Sequence, residues 1–110
     1  MISQETYRQF VLALPEVTEA PHFDKQAFKW RTRIFATLWI KENRAMLKLS
    51  LVDQSVFCAF DDKVFFPVLN AWGKQGATFV ELALVREDMF TDALNCAYWG
   101  VVNKKKPKSS

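Results

Sequence analysis

The spacing of apolar residues changes several times along the chain, and each change marks an element. Tyr7, Phe10, Val11 and Leu14 recur at i, i+3, i+4 and i+7, which is one face of a helix. Ser3 stands as its N-cap, Glu5 lies in the first turn where a carboxylate suits the helix dipole, and Pro15 stops it. Residues 15–26, with Pro15, Pro21 and several acids, read as a connector with a short extended piece near His22-Phe23. From Ala27 the period falls to two. Phe28 and Trp30 alternate with Lys29 and Arg31; Ile34 to Lys41 is a nearly continuous strand; Ala45, Leu47, Leu49 and Leu51 alternate with Met46, Lys48 and Ser50. Turns at 32–33 and 42–44, the second eased by Asn43, make these an antiparallel three-stranded meander.

Asp53 is expected to cap a short helix that buries Val56, Phe57 and Phe60. Val64 to Phe66 reads as a short strand that Pro67 places near an edge or brings to its end. Leu69 to Gly76 is a loop with two glycines, and Thr78 to Leu84 alternates, with Val80, Leu82 and Leu84 inward and Phe79 and Glu81 outward. Phe90, Ala93, Leu94, Ala97 and Tyr98 form the stripe of a last helix, closed by Gly100. The predicted class is α+β, in the order α-β(3)-α-β(2)-α, an antiparallel sheet with helices on one face. Residues 1–102 form a single domain and 103–110 a Lys-rich tail.

Composition narrows the function classes more than it selects one. With 110 residues, half of them hydrophobic and a quarter charged, the chain supports one folded core. Its longest apolar run, Ile34 to Ile40 broken by Thr37, is far short of the ~20 residues of a membrane span. No basic-then-apolar stretch opens the sequence, so the expected location is cytoplasmic. The net charge of +3 is unevenly spread. Residues 25–48 carry Lys25, Lys29, Arg31, Arg33, Lys41, Arg44 and Lys48 against Glu42 alone, a net of +6. The tail adds Lys104, Lys105, Lys106 and Lys108, while the remaining segments are acidic. One basic segment on an acidic body is a local field that suits a polyanion.

Two separated motifs carry a family resemblance. Leu14-Pro15-Glu16-Val17-Thr18-Glu19-Ala20-Pro21-His22-Phe23, followed by Ala27-Phe28 and Ile34-Phe35-Ala36-Thr37-Leu38, resembles the opening of MmcQ/YjbR proteins. Trp72-Gly73-Lys74-Gln75-Gly76-Ala77-Thr78 resembles that family's Trp-Gly-basic-x-Gly-aromatic-Thr loop, with Ala77 in place of the aromatic, and Ala97-Tyr98 matches its last helix. The loop-motif residues are thus Trp72, Gly73, Lys74, Gly76 and Thr78. The resemblance spans roughly residues 3–102. It implies a fold related to bacterial frataxin (CyaY-like) and to secretion-chaperone domains, and a DNA-binding role of the "double wing" type.

Strand alternation gives that role a surface. Phe35, Thr37, Trp39 and Lys41 share one side of the middle strand and Ile34, Ala36, Leu38 and Ile40 the other. With the aliphatic side on the helices, the open face is expected to gather Lys29, Arg31, Trp39, Lys41 and Lys48. Arg33 and Arg44 fall at the turns and Lys74 on the glycine loop. Cations beside an aromatic are what strand binding uses. A solvated face, with Lys and Arg stems covering Trp39 and Phe35, is the bland alternative.

Other chemistry finds no constellation. His22 is the only histidine; Cys58 and Cys96 read as packed thiols; and the first helix offers only Glu5, so frataxin-type iron binding does not carry over. Gly73 and Gly76 match neither phosphate-binding glycine pattern and read as a tight wing-like turn. The expectation is a non-enzymatic protein without metal or cofactor, whose partner is DNA. The competing expectation is a protein-interaction module, monomer or weak homodimer, with Trp39, Phe35, Phe79 or Trp99 as its contact patch.

Overall fold

The computed structural model describes residues 1–103; the Lys-rich tail lies outside the described residues apart from Asn103. Helix α1, Gln4–Leu12, begins where expected, with Ser3 Oγ accepting from the Thr6 amide. Tyr7 and Val11 are buried on its inner face. The predicted connector is instead a strand, β1, Val17–His22, which forms a hairpin with β2, Lys25–Trp30. Its turn passes through Phe23 at a φ of 62°, a conformation the sequence does not advertise. Pro21 is tolerated because β1 is an edge strand, where a missing amide costs no ladder bond.

Strands β3, Arg33–Trp39, and β4, Arg44–Lys48, complete the expected meander, with Asn43 in the left-handed region at their turn. Helix α2, Leu51–Phe60, starts a turn earlier than predicted: Ser50, not Asp53, is the cap, accepting from the Asp53 amide. Of its expected core residues only Phe57 is buried; Val56 and Phe60 face outward. Strand β5, Phe65–Pro67, takes the opposite edge, as Pro67 implies. A short helix, α3, Ala71–Lys74, occupies the predicted glycine loop. Strand β6, Ala77–Glu81, follows, and α4, Glu87–Asn103, runs through Gly100 without stopping.

The six strands form one antiparallel sheet in the order β1-β2-β3-β4-β6-β5. Helices α1, α2 and α4 supply Tyr7, Val11, Phe57, Phe90, Leu94 and Tyr98 to the main core, which closes on Phe28, Leu38, Leu47 and Val80 of the sheet. The other face bears a smaller cluster of Met46, Ala77 and Phe79, with Trp39, Phe66 and Val68 packed around it. Phe79 points away from the helices as expected, yet this cluster buries it; Leu84, expected inward, is exposed in the turn after β6.

One buried polar residue decides how α3 sits. Gln54, on the inner side of α2, donates its amide to the Gly73 carbonyl (2.9 Å) and the Ala77 carbonyl (3.1 Å), pinning both ends of the loop motif. Gln54→Leu is expected to cost about 1–2 kcal/mol, one buried amide's worth of hydrogen bonding. Denaturant unfolding checks this: the midpoint should fall with the m-value unchanged.

Candidate nucleic-acid interface

The open sheet face does not assemble as alternation predicts, and a bulge is the reason. Phe28 pairs with Ala36 and Lys29 with Ile34, so β3 advances two residues where β2 advances one, and Phe35 is the extra one. A bulge lets neighbouring side chains share a face. Phe35 and Ala36 both enter the main core, Phe35 edge-on to Tyr98 at 5.9 Å. Phe35 is therefore not on the open face, while Thr37 and Trp39 are, with Met46 and Arg44 as their cross-strand partners on β4.

The predicted cations divide between the two ends of the sheet. At the end holding the β1–β2 and β3–β4 turns, Arg44 is ion-paired with Glu81 and lies over the Phe66 and Phe79 rings. Lys25 bonds Asp24 at 3.0 Å and sits 4.3 Å from the Trp39 ring centroid. Asp24 is held below its ordinary value by the Lys25 hydrogen bond and charge, and further by the charge of Lys41. Trp39 is thus capped by a lysine on its face, packs edge-on against Phe79 at 4.9 Å, and spends its indole N–H on Thr37 Oγ1. It is not a platform on which a base can stack.

The opposite end is different. Pairing between β3 and β4 runs only as far as Ala36 with Leu47. Beyond that point the two strands part, and Arg33, Ile34 and Phe35 face Lys48, Leu49 and Ser50 across an open groove of about 600 Å³. Trp72 and Gln75 of the loop motif and Gly100 and Val101 of α4 also line it. Trp72 is 61% exposed. Lys29, paired with Ile34, lies on the neighbouring strand, and Lys74 ends α3 two residues past Trp72. Helix α4 also finishes here.

Arg31 belongs to the same end but is engaged. Its guanidinium bonds Glu16 Oε1 at 2.9 Å and stacks 4.6 Å from the Trp30 centroid. The hydrogen bond, then the charge of Arg31, holds the Glu16 carboxyl below its usual range, and Glu16 raises Arg31 in turn. The folded carboxylate pKa is depressed, so the bridge is intact from neutral pH down to the ordinary carboxylate range and is lost as pH falls through the lowered value. Glu16→Gln releases Arg31 without acid. If this end binds polyanions, the variant gains about one phosphate contact, steepening the salt slope by ~0.9. Fluorescence titration at three salt concentrations reads the change; an unaltered slope argues that Arg31 points away from the bound strand.

Of the eight expected cation and aromatic residues, Arg33 and Lys48 line this groove, with Lys29 and Lys74 beside it. Arg31 and Arg44 are ion-paired, and Lys41 and Trp39 sit at the far end. Trp72 supplies the exposed ring that Trp39 does not. Gly73 and Gly76 serve packing rather than a cradle: a Cβ on either would run into a backbone carbonyl, Val68 or Leu49 respectively. Thr78 is buried and returns its hydroxyl to the Gly76 carbonyl at 2.9 Å. Burial first, with nearby Asp62 for Cys58 and Asp53 for Cys96, pushes both thiols up. That direction suppresses the reactive thiolate. Among the described residues, no three His, Cys, Asp or Glu side chains gather as metal ligands, and no helix is long and apolar enough to cross a membrane.

A six-stranded antiparallel sheet with three long helices on one face and a Trp-Gly-Lys loop at its end defines a class of small α+β domain. Within that class, the chain belongs to the YjbR family, whose family model matches residues 12–99. It is also similar to the crystal structure of the Deinococcus radiodurans protein DR2400, a DUF419 domain. The TM-score is 0.82 at 22% identity, over 99% of this chain and 85% of that one. No curated protein matches it.

Proposed function

We propose that the chain is a non-catalytic nucleic-acid-binding domain that takes the sugar-phosphate backbone across the mouth of the β3–β4 groove. The observation that supports this is the meeting of Arg33, Lys48 and exposed Trp72 around the groove between the ends of β3 and β4. Arg33 and Lys48 stand on opposite walls, so an anionic strand laid along the groove is neutralised from both sides. Trp72 offers a base a stacking surface, and Lys29 and Lys74 extend the positive strip on either side. The DNA-binding role that the sequence resemblance implies agrees with a backbone-reading surface.

Arg33→Glu with Lys48→Glu tests it. Both side chains are exposed, so the fold should survive, and two phosphate contacts should go. The slope of log affinity against log salt is expected to fall by ~1.8 for a duplex, with retention lost at moderate salt. Trp72→Ala should cost an unpaired strand about 1–3 kcal/mol of stacking while leaving the slope alone. Wild-type retention and slope in the double variant would remove the groove from the account.

A further inference from the structure

We infer that the outer face of α2 is the seam of a homodimer. The helix is apolar on both sides, and the arrangement is inverted relative to a solvated surface helix. Its inner side buries polar Gln54 beside Phe57, whereas its outer side presents Val52, Val56 and Phe60, exposed by 72%, 60% and 64%. These recur at i, i+4 and i+8, one continuous stripe along the helix, with Ala59 beside them. Leu51 is also exposed at the start of the helix, and Leu84, from the turn after β6, stands next to Phe60. A helix that is hydrophobic all round is one that is covered all round. The sheet covers one side of α2, and something else covers the other.

A second copy of this chain fits that side. The stripe is symmetric in spacing about Val56, so two α2 helices meeting antiparallel across a two-fold axis place Val56 on its partner and each Val52 on the other copy's Phe60. This is the self-complementarity an isologous interface requires. A hollow of about 120 Å³ lies between Phe60 and Leu84, with Val64 and Met89 among its walls. In the antiparallel arrangement the partner's helix start, Leu51-Val52, falls on it and seats an aliphatic side chain there. The charged groups at the hollow are of both signs, Asp61 and Arg86. The only ionisable carboxylate on α2 is Asp53, half-buried and turned toward Cys96 of α4. Five exposed apolar side chains, Leu51, Val52, Val56, Phe60 and Leu84, make a patch comparable to the ~300–600 Å² that is the largest on an ordinary monomer. It is less than the ~800 Å² that each partner gives to a standard interface, so the dimer is reversible.

This inference is independent of the groove and stands if nucleic-acid binding fails. Sedimentation equilibrium on the full chain, from about 20 µM to 1 mM, should show a dimer fraction rising with concentration. Val56→Asp sets two carboxylates against each other at the axis and should weaken the dimer at least tenfold, with an unchanged circular dichroism spectrum. Leu69→Asp, at a more exposed position off the helix, should leave it intact. Phe60→Ser gives the same reading as Val56→Asp should the aspartate variant fold poorly. A strict monomer at 1 mM, as when α2 takes another protein's amphipathic helix instead, overturns the inference. So does a dimer indifferent to both substitutions.

Discussion

Gly76→Ala is expected to lower the melting temperature by roughly 15–25 °C, corresponding to about 3–5 kcal/mol for a domain of this size. Two separate causes act together. Gly76 has a φ of 110°, outside the range an L side chain adopts readily. A Cβ there would also enter the Leu49 carbonyl, a backbone atom that cannot rotate away. Leu49 in turn donates its amide to the Gly76 carbonyl at 3.0 Å, so the loop motif and the end of β4 are bound back to back. Relief requires parting them, and Leu49 is a groove wall. The substitution should therefore damage binding as well as stability. A melting temperature within ~5 °C of wild type would mean that the loop yields without cost, contrary to the packing described.

Tyr7→Ala is expected to cost about 3–5 kcal/mol, from a cavity under the sheet plus a lost hydrogen bond. Tyr7 is wholly buried, edge-on to Phe28 at 5.7 Å and 5.4 Å from Phe90, and so joins α1, β2 and α4. Its hydroxyl donates to the Thr37 carbonyl at 3.0 Å, and burial pushes its pKa well above the ordinary range, keeping it a donor. Tyr7→Phe keeps the ring and removes only the donor, so about 1–2 kcal/mol should be lost. Urea unfolding of both variants separates the terms. Equal losses in the two would assign the whole effect to the hydrogen bond and contradict the cavity argument.

How much could be read without coordinates follows from range of interaction. The helical stripes of α1 and α4, the Ser3 cap, the meander and the edge position of Pro67 are local patterns, and each agrees with the structure. Strand β1 was hidden because its signals are contrary: a proline inside the strand and a phenylalanine at a left-handed turn position. Both make sense only once β1 is known to be an edge. The bulge at Phe35 has no local signature, and it moves Phe35 to the core. For the same reason alternation put Phe35, though not Thr37 or Trp39, on the wrong face.

The candidate site was half legible. Arg33, Lys48, Lys29 and Lys74 stand out as cations in a basic segment and a motif, and they do lie at one end of the sheet. The pairing of Arg31 with Glu16 and of Arg44 with Glu81 joins residues 15 and 37 positions apart, which composition cannot reveal. Gln54 carried one usable signal: a polar residue where the inward face of a short apolar helix falls. Trp72 was recognised as part of a motif, and only the turn of α3 shows that it faces water.

The most direct test of the nucleic-acid reading maps where a strand sits. Amide chemical shifts of the labelled protein, followed as a short oligothymidylate is added at low salt, should move at Arg33–Phe35, Lys48–Ser50 and Trp72–Gly76. Those at Trp39, Arg44 and Glu81 should stay in place. Shifts centred on the latter group, or none at millimolar oligonucleotide, would contradict the account.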